Sequence, residues 1–452
     1  MNIIIAGNGK VGMTLARQLS VEKHDITLID SDQQVLNACV ENFDVMAVHG
    51  NCAAMDVLLE AGVKDADLLI AVAGQDEVNM LCCTIAHSIN PQLHTIARIR
   101  NPEYAKQVYA MRDVFALSMV INPEKQAATE IHRLLKYPGF LHRDTFAKGN
   151  AEIVELRIDS TSKLCNMPLS ELPDIVKCRV LVCAVLRNGT ASAPKGDFVL
   201  READRIFVTA PTENLTIMLK NLGIIARKAR RVIICGGGRI SYYLCTLLQK
   251  DNISTQLIEN NYDRCVELAS LLPDTGIVHG DATVQSLLES EGLSTCDALI
   301  TLTGLDELNM VISLYGTTRN VPQVITKLGY SENSSILNDL PLGSIICPKE
   351  LSCNQIIRYV RAMQSQTGAA LSVHTIADGQ AEAVEFIVDE NTLYKGTPLK
   401  SLKLRQNVLI AGITHGPYTE VPSGNSTFSV GDSVIVVTSG RGVLQQLNDI
   451  FA

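Results

Sequence analysis

The chain opens on a continuous apolar run, NIIIAG, which breaks into GNGK and resumes as KVGMTLARQLS. In the second stretch Val11, Leu15 and Leu19 recur every four residues, the spacing of one buried helix face. A strand without polar alternation is expected where a parallel sheet is covered on both sides. The pattern then repeats: DITLID reads as a second strand, QQVLNACVE as a helix, DVMAVHG as a third strand, AAMDVLLEAG as a helix and DLLIAVAG as a fourth strand. Strands and helices alternating through short links predict a doubly wound parallel sheet.

The rhythm changes after Pro123. EKQAATEIHRLLKY reads as one helix, closed by Pro138-Gly139. From about residue 150 strands dominate, as EIVELRI, RVLVCAVL and RIFVTA, before a helical close at NLTIMLKNLG. This predicts a small α+β domain, followed by a basic linker, RKARR, at 227–231.

Beyond the linker the whole arrangement recurs. Gly7, Gly9 and Asp30 correspond to Gly236, Gly238 and Glu259, each 229 positions later. DADLLIAVAGQDEVNM (65–80) matches TCDALITLTGLDELNM (295–310), and VHGN (48–51) matches VHGD (278–281), at a shift of 230. IARIR (96–100) aligns with ITKLG (325–329), and INPEK (121–125) with ICPKE (346–350). LCNMPLSEL (164–172) resembles YKGTPLKSL (394–402), and EADRIFV (202–208) resembles VGDSVIV (430–436). A period this long denotes duplicated domains rather than a solenoid. The expected layout is a first Rossmann-like domain at 1–122, a connecting helix at 123–140 and a small α+β domain at 141–226. The second copy follows as a Rossmann-like domain at 232–350, a helix at 351–369 and a small domain at 370–452.

The turn GNGKVG carries chemistry. In a GxGxxG turn Gly7 permits the tight bend, Gly9 lets the backbone approach a pyrophosphate, and Gly12 lets the helix pack on the sheet. The helix N-terminus then presents N–H groups and partial positive charge to phosphates. Asp30, 23 residues after Gly7 at the end of the second strand, stands where ribose hydroxyls bind. Its charge repels a 2′-phosphate, and Ser31-Asp32 supplies no arginine to accept one, which favours NAD or an adenine nucleotide over NADP. Ala73 and Gly74 end the fourth strand at the carboxyl edge, where ligands of such sheets bind. Asn51 and Asp281 lie near that edge with hydrogen-bonding side chains. Arg98 and Lys327 occupy equivalent positions suited to phosphate. Asp76 and Glu77 read as an N-cap and as complements to a helix dipole, Met80 as core, and His49 as a loop histidine rather than a catalytic one.

The second turn, GGGRIS, keeps two glycines and the acid, as Glu259, but puts Ser241 at the third glycine position. A serine there must fit between helix and sheet. Glu259 is one methylene longer than Asp30. The two sites are therefore expected to be unequal, with the first the better dinucleotide binder.

Composition narrows the partners. The chain has 452 residues, 46% hydrophobic and 19% charged, with a formal net charge of −9. That balance lacks the basic footprint of nucleic-acid binding and does not favour adsorption to anionic lipid by charge alone. No basic-then-apolar leader opens the chain, so no signal peptide is expected. The apolar runs are far shorter than the roughly 18 residues of a spanning helix, so membrane association is expected to come through a partner. The 13 cysteines form no CxxC pair, and the nine histidines no HExxH, which points to reduced, mostly buried thiols and no metal site.

Two glycine-turn domains, each followed by a small strand-rich domain, resemble one family along essentially the whole chain: the peripheral nucleotide-binding subunits of Trk-type potassium uptake systems, built from tandem RCK units (regulators of potassium conductance). The matching stretches are IIIAGNGKVG, DITLID, LLEAGVKDADLLIAVAGQDEVNM, IARIRNPEY and RLLKYPGF in the first unit, and GGG, LIEN, HGDAT and DELNM in the second. The resemblance implies a cytoplasmic subunit on the inner face of the cell membrane that binds NAD(H) and adenine nucleotides such as ATP or ADP. It implies a homo-oligomer, dimer or tetramer, arranged as a ring on an integral membrane potassium transporter, without catalytic turnover. By position, the first site would use Gly7, Asn8, Gly9, Lys10, Val11, Asp30, Ala73, Gly74 and Arg98. The second would use Gly236, Gly237, Gly238, Arg239, Ile240, Glu259, Thr303, Gly304 and Lys327. The EKQAATEIHRLLKY helix resembles the family's connecting helix, which packs between neighbouring protomers. The alternatives are an NAD-dependent dehydrogenase, for which the small domains offer no acid/base constellation, and a sensor for another ion transporter.

Overall fold

The computed structural model describes residues 1–108, 110–136, 140–224, 229–329, 340–364, 370–439, 444 and 446–452. The Pro138-Gly139 helix stop and linker residues 227 and 228 lie outside them. The first sheet contains β1 (Asn2–Ala6), β2 (Asp25–Asp30), β3 (Met46–His49), β4 (Leu68–Ala71), β5 (His94–Arg98) and β6 (Met119–Ile121). Its order is β3-β2-β1-β4-β5-β6, and every neighbouring pair is parallel. The order reverses between β1 and β4, so a crevice opens at their carboxyl ends. Ile3, Ile4 and Ile5 and all four residues of β4 are buried, because helices cover both faces. The helix Lys10–Val21 turns Val11, Leu15 and Leu19 inward, as their spacing predicts.

The first small domain is an antiparallel sheet of β7 (His142–Phe146), β8 (Ala151–Arg157), β9 (Leu181–Arg187), β10 (Thr190–Ser192) and β11 (Arg205–Ala210), in the order β10-β9-β11-β8-β7. Its closing helix is Thr212–Leu222. The edge strand β7, HRDTF, carries no apolar alternation and escapes a reading by pattern. The second parallel sheet repeats the first with β12 (Arg231–Cys235), β13 (Ser254–Glu259), β14 (Gly276–His279), β15 (Ala298–Thr301), β16 (Gln323–Lys327) and β17 (Ser344–Ile346). The second small sheet follows with β18 (Ala370–Ile376), β19 (Ala381–Ile387), β20 (Val408–His415), β21 (Tyr418–Glu420) and β22 (Ser433–Ser439). Its order, β18-β19-β22-β20-β21, is that of the first small sheet read from the other edge. The expected fold class, two tandem Rossmann-like sheets each followed by a small α+β domain, is therefore the observed one.

The chain forms two compact units: residues 1–128 with 347–357, and residues 129–346 with 358–452. Each long helix that leaves a parallel sheet is shared between them. In the first unit the helix Pro348–Gln364 sets Cys353 Sγ 3.8 Å from the Val11 carbonyl, and Ser352 Oγ donates to Gln126 Oε1 at 2.7 Å. In the second unit the helix Pro123–Lys136 offers its Leu134 carbonyl to Gln323 Nε2 at 3.0 Å. Each connecting helix thus packs on the parallel-sheet domain of the other copy.

Within the second unit the two small sheets share a core. Phe146, Ile153 and Phe207 pack with Ile376, Ala383 and Ile435. Alanines 147, 151 and 184 and 377, 381 and 411 belong to the same cluster and allow the sheets to approach closely. Polar groups are enclosed beside this core. Arg143 is buried and forks onto both oxygens of buried Glu152. Asp144 accepts from His374 Nδ1 at 2.5 Å and lies 3.1 Å from His142 Nε2. Burial opposes ionisation at both His142 and Asp144, but their mutual attraction dominates. His142 is pushed up to about 10, with Glu130 and Glu155 adding to the effect. Asp144 is held well below the usual carboxylate range by His142 and His374.

The pH dependence follows from the direction of these shifts. An unfolded histidine loses its proton near pH 6.5, whereas folded His142 holds it to about 10. Its contribution is complete below the lower value and is lost as pH rises through the higher. Asp144 acts in the opposite sense and loses its contribution as pH falls below the ordinary carboxylate range. The thermal midpoint of the full chain is expected to fall between pH 7 and pH 10, and His142→Gln to flatten that fall. Midpoints from circular dichroism across this range, compared between the two proteins, provide the check.

Candidate functional site

The first turn is built as the GxGxxG spacing requires. Gly7 has φ +96°, and a Cβ there would lie 2.6 Å from the Ala73 nitrogen and Cα. A Cβ on Gly12 would lie 2.1 Å from the Gly7 carbonyl oxygen. Both glycines are therefore set by close backbone packing. Gly9 and Gly74 differ: beyond their own chain neighbours, no heavy atom lies within 4 Å of either Cβ position. They are the open points of the carboxyl edge. Gly9 also caps the helix Lys10–Val21 without any side-chain hydrogen bond, so the positive end of the helix dipole faces the carboxyl edge. Lys10 is exposed at this end and Val11 is buried.

Asp30 ends β2 with both oxygens engaged: Oδ2 accepts the Asn8 N–H at 2.5 Å and Oδ1 the Asp32 N–H at 3.0 Å. Each carboxylate oxygen accepts more than one hydrogen bond, so the acid can hold the turn and still receive hydroxyl donors. Asn8 is buried, and its Nδ2 donates to Cys39 Sγ at 2.8 Å. Asn51 Oδ1 accepts the Ala53 N–H at 3.0 Å, which shapes the loop after β3. His49 Nε2 meets the Ser31 carbonyl at 3.1 Å and so braces a loop, in keeping with its sequence reading.

The opposite wall is held by a residue that motif reading passed over. Asn79 is fully buried, its Oδ1 accepts the Ala73 N–H at 2.8 Å, and its Nδ2 donates to the Ala73 and Arg98 carbonyls. It ties the ends of β4 and β5 together. Arg98 adds a bond from Nη2 to the Ala73 carbonyl at 2.7 Å, and Arg100 donates to the Gly74 carbonyl. Asp76 is not the N-cap expected from sequence. That place falls to Gln75, without a side-chain cap. Asp76 is buried instead, and Oδ2 accepts the N–H groups of Arg100 and Asn101, both at 2.8 Å. Glu77 accepts from the Tyr104 hydroxyl at 2.7 Å, which lowers its carboxyl below the ordinary value. A signal for Asn79 was present: DEVNM and DELNM share an asparagine at the same place.

The second copy repeats the frame with compensated changes. Gly236 has φ +104°, and the Gly238 and Gly304 Cβ positions are open within 4 Å. Arg239 is exposed and Ile240 buried. Glu259 accepts the N–H of Gly237 at 2.6 Å and of Asn261 at 2.8 Å. Asn309 bonds Thr303 and the Lys327 carbonyl as Asn79 bonds Ala73 and Arg98. Lys327 Nζ donates to the Thr303 carbonyl. Asp281 is engaged by Thr283, whose N–H and hydroxyl both donate at 2.8 Å. These bonds lower Asp281 below the ordinary range.

Three positions change together between the copies: Asn8, Cys39 and Asp30 become Gly237, Leu268 and Glu259. A Cβ on Gly237 would meet Leu268 Cδ1 at 2.6 Å and Glu259 Oε2 at 3.0 Å. The longer acid and bulkier helix residue fill the space that the Asn8 side chain uses in the first copy. Arg264 then caps the Gly237 carbonyl at 2.8 Å. Ser241 is fully buried and its hydroxyl donates to the Gly236 carbonyl, so the side chain in the third-glycine place is accommodated by a bond. Among the described residues no helix is long and apolar enough to cross a membrane, and no group of His, Cys, Asp and Glu is arranged to hold a metal ion.

Comparison with known proteins places this geometry. The TrkA-N domain family matches residues 3–123 and 232–348, and the TrkA-C domain family matches 153–223 and 383–452. The Trk system potassium uptake protein TrkA homolog of Archaeoglobus fulgidus is 32% identical over 452 residues, covering all of both chains. The Trk system potassium uptake protein TrkA of Halomonas elongata is 29% identical over 457 residues, covering 100% of this chain and 98% of its own. The crystal structure of the GsuK RCK domain superposes with a TM-score of 0.61 at 16% identity, covering 97% of this chain and 92% of that one. The GsuK channel bound to NAD gives 0.61 at 17% identity, covering 97% and 76%. The fold is that of a tandem RCK-type protein, two Rossmann-like TrkA-N domains each followed by a TrkA-C domain. The chain belongs to the TrkA family.

The two turns respond differently to substitution at the third-glycine position. Gly12→Ala places a methyl against a backbone oxygen and is expected to cost about 1–3 kcal/mol. Ser241→Ala removes only a hydroxyl and is expected to cost about 1 kcal/mol. Thermal midpoints of the two full-length variants rank them, and a larger loss in Ser241→Ala would contradict the packing argument.

Proposed function

We propose that the chain is the cytoplasmic, nucleotide-responsive regulatory subunit of a membrane potassium uptake transporter, with NAD(H) or an adenine nucleotide bound at the carboxyl edge of each parallel sheet. One observation carries the reading. In both copies the two glycines with open Cβ positions, Gly9 with Gly74 and Gly238 with Gly304, lie at a helix N-terminus and beside it, at the strand edge of a frame otherwise closed by backbone contacts. The donor and acceptor set suits a dinucleotide: a helix N-terminus for the pyrophosphate, an acid for ribose hydroxyls and a cation at β5 or β16. The NAD-bound GsuK channel and the TrkA relatives support the ligand class and the transport setting.

In this reading the first site uses Gly7, Asn8, Gly9, Lys10, Val11, Asp30, Asn51, Ala73, Gly74 and Arg98. The second uses Gly236, Gly237, Gly238, Arg239, Ile240, Glu259, Asp281, Thr303, Gly304 and Lys327. The subunit assembles as a homo-oligomeric ring on the inner face of the membrane. Nucleotide binding shifts the transporter by no more than the ligand's differential affinity for its two states, typically about 1–3 kcal/mol per coupled site.

Potassium flux through the transporter reconstituted with this subunit is expected to differ between NADH, ATP, ADP and no nucleotide, and equal flux in all four would end the gating role. Calorimetry on Asp30→Ala and Glu259→Ala ranks the sites: NADH affinity is expected to fall more in Asp30→Ala, and a fall confined to Glu259→Ala would reverse the ranking.

A further inference from the structure

The two small domains meet through residues that occupy the same place in the repeat. In the first copy β7 pairs with β8 so that His142 faces Glu155 and Asp144 faces Ile153. In the second β18 pairs with β19 so that Ser372 faces Glu385 and His374 faces Ala383. Each partner is 230 positions on, so Asp144 and His374 are equivalent by register. Yet they touch each other, Asp144 Oδ1 to His374 Nδ1, at 2.5 Å. Two equivalent residues in direct contact lie on the local twofold that relates the copies.

The hydrogen atoms on this contact can be assigned. Arg358 Nη1 lies 3.1 Å from His374 Nε2. A guanidinium only donates, so Nε2 accepts. The remaining ring nitrogen, Nδ1, carries the proton and donates it to Asp144. His142 Nε2 stands 3.1 Å from the other Asp144 oxygen. Arg133, the counterpart of Arg358 on the other connecting helix, turns to Thr145 Oγ1 at 3.1 Å and to Glu130 at 3.2 Å. The centre of the interface is thus a donor–acceptor chain, Arg358 to His374 to Asp144, with a direction. It is enclosed: the side chains of His374 and Asp144 are 11% and 12% exposed.

A directional bond on a twofold axis cannot be made by two identical halves. Two first-copy small domains, one from each of two chains, would bring Asp144 against Asp144, two acceptors that need a shared proton at this distance. Two second-copy domains would bring His374 against His374. With each Nε2 occupied by its own Arg358, both would present Nδ1–H, donor against donor. We propose that the Asp144–His374 contact is a pairing-specificity device: it makes the two small domains of one chain select each other and rejects association of like small domains between chains. The recognition partner of each small domain is therefore the opposite copy, selected by donor–acceptor complementarity on a shared apolar core.

The test uses full-length variants. His374→Asp recreates the like pair of carboxylates, Asp144→His recreates the like pair of imidazoles, and the double exchange Asp144→His/His374→Asp restores complementarity with its direction reversed. Each single variant is expected to lower the thermal midpoint by roughly 3 °C or more, and the double exchange to recover at least half of the larger loss. A double exchange no better than the worse single variant would overturn the proposal. If the like-pair variants do not fold, His374→Asn decides. Asparagine keeps a donor at the Nδ1 position for Asp144 while giving up the acceptor for Arg358, so it is expected to yield soluble protein with a midpoint well above that of His374→Asp. A His374→Asn chain as impaired as His374→Asp would show that complementarity is not what the position supplies.

Discussion

The carbonyl oxygen of Gly7 occupies the space that a Cβ on residue 12 would need, 2.1 Å away. Gly7 in turn lies at φ +96° against the backbone of Ala73. These two contacts bring the end of β1, the end of β4 and the start of the helix Lys10–Val21 to one place, with no side chain between them. The rest of the site depends on that closeness. Because the helix begins there, its N-terminus points at the carboxyl edge. Because β1 and β4 diverge there, the edge is a crevice. The two glycines left open, Gly9 and Gly74, mark where the crevice has room.

The second copy shows how such a frame tolerates change. Its third glycine is Ser241, held by a hydrogen bond to the carbonyl that Gly12 merely clears. Its acid is longer, its helix residue bulkier, and the middle residue of its turn is reduced to glycine so that both fit. Arg100, which bonds the Gly74 carbonyl in the first copy, has Gly329 as its counterpart. None of these replacements moves the strand order, which is the same in both sheets. Duplication has let two similar clefts diverge chemically while the backbone that builds them stays the same.

Duplication acts in the same way at the small domains. Two equivalent positions on a local axis carry an acid and an imidazole, a combination that a true twofold pair of identical chains cannot present. The same logic governs the connecting helices, each of which packs on the parallel-sheet domain of the other copy.

Much of this was legible in the residues. Apolar runs ending in GNGKVG and GGGRIS define strand, turn and helix locally, because glycine torsions and helical spacing are properties of a few consecutive positions. The repeats, the two acids and the order of elements followed from comparing the chain with itself. Asn79 was missed because its work, bridging the ends of β4 and β5, exists only when those strands, whose paired residues lie 26 positions apart in sequence, run side by side. Asp76 was misassigned for the same reason: its partners are the backbone N–H groups of Arg100 and Asn101, beyond the reach of a local capping rule. The strand HRDTF has no alternation to read, since Arg143 is buried against Glu152 of its own copy and Asp144 against His374 of the other. The sequence by itself determined the local turns, the parallel-sheet domains and their duplication. The tertiary structure alone decided which copy packs against which, because that choice rests on contacts such as Asp144 with His374, 230 residues apart, whose donors and acceptors become complementary only when the halves meet.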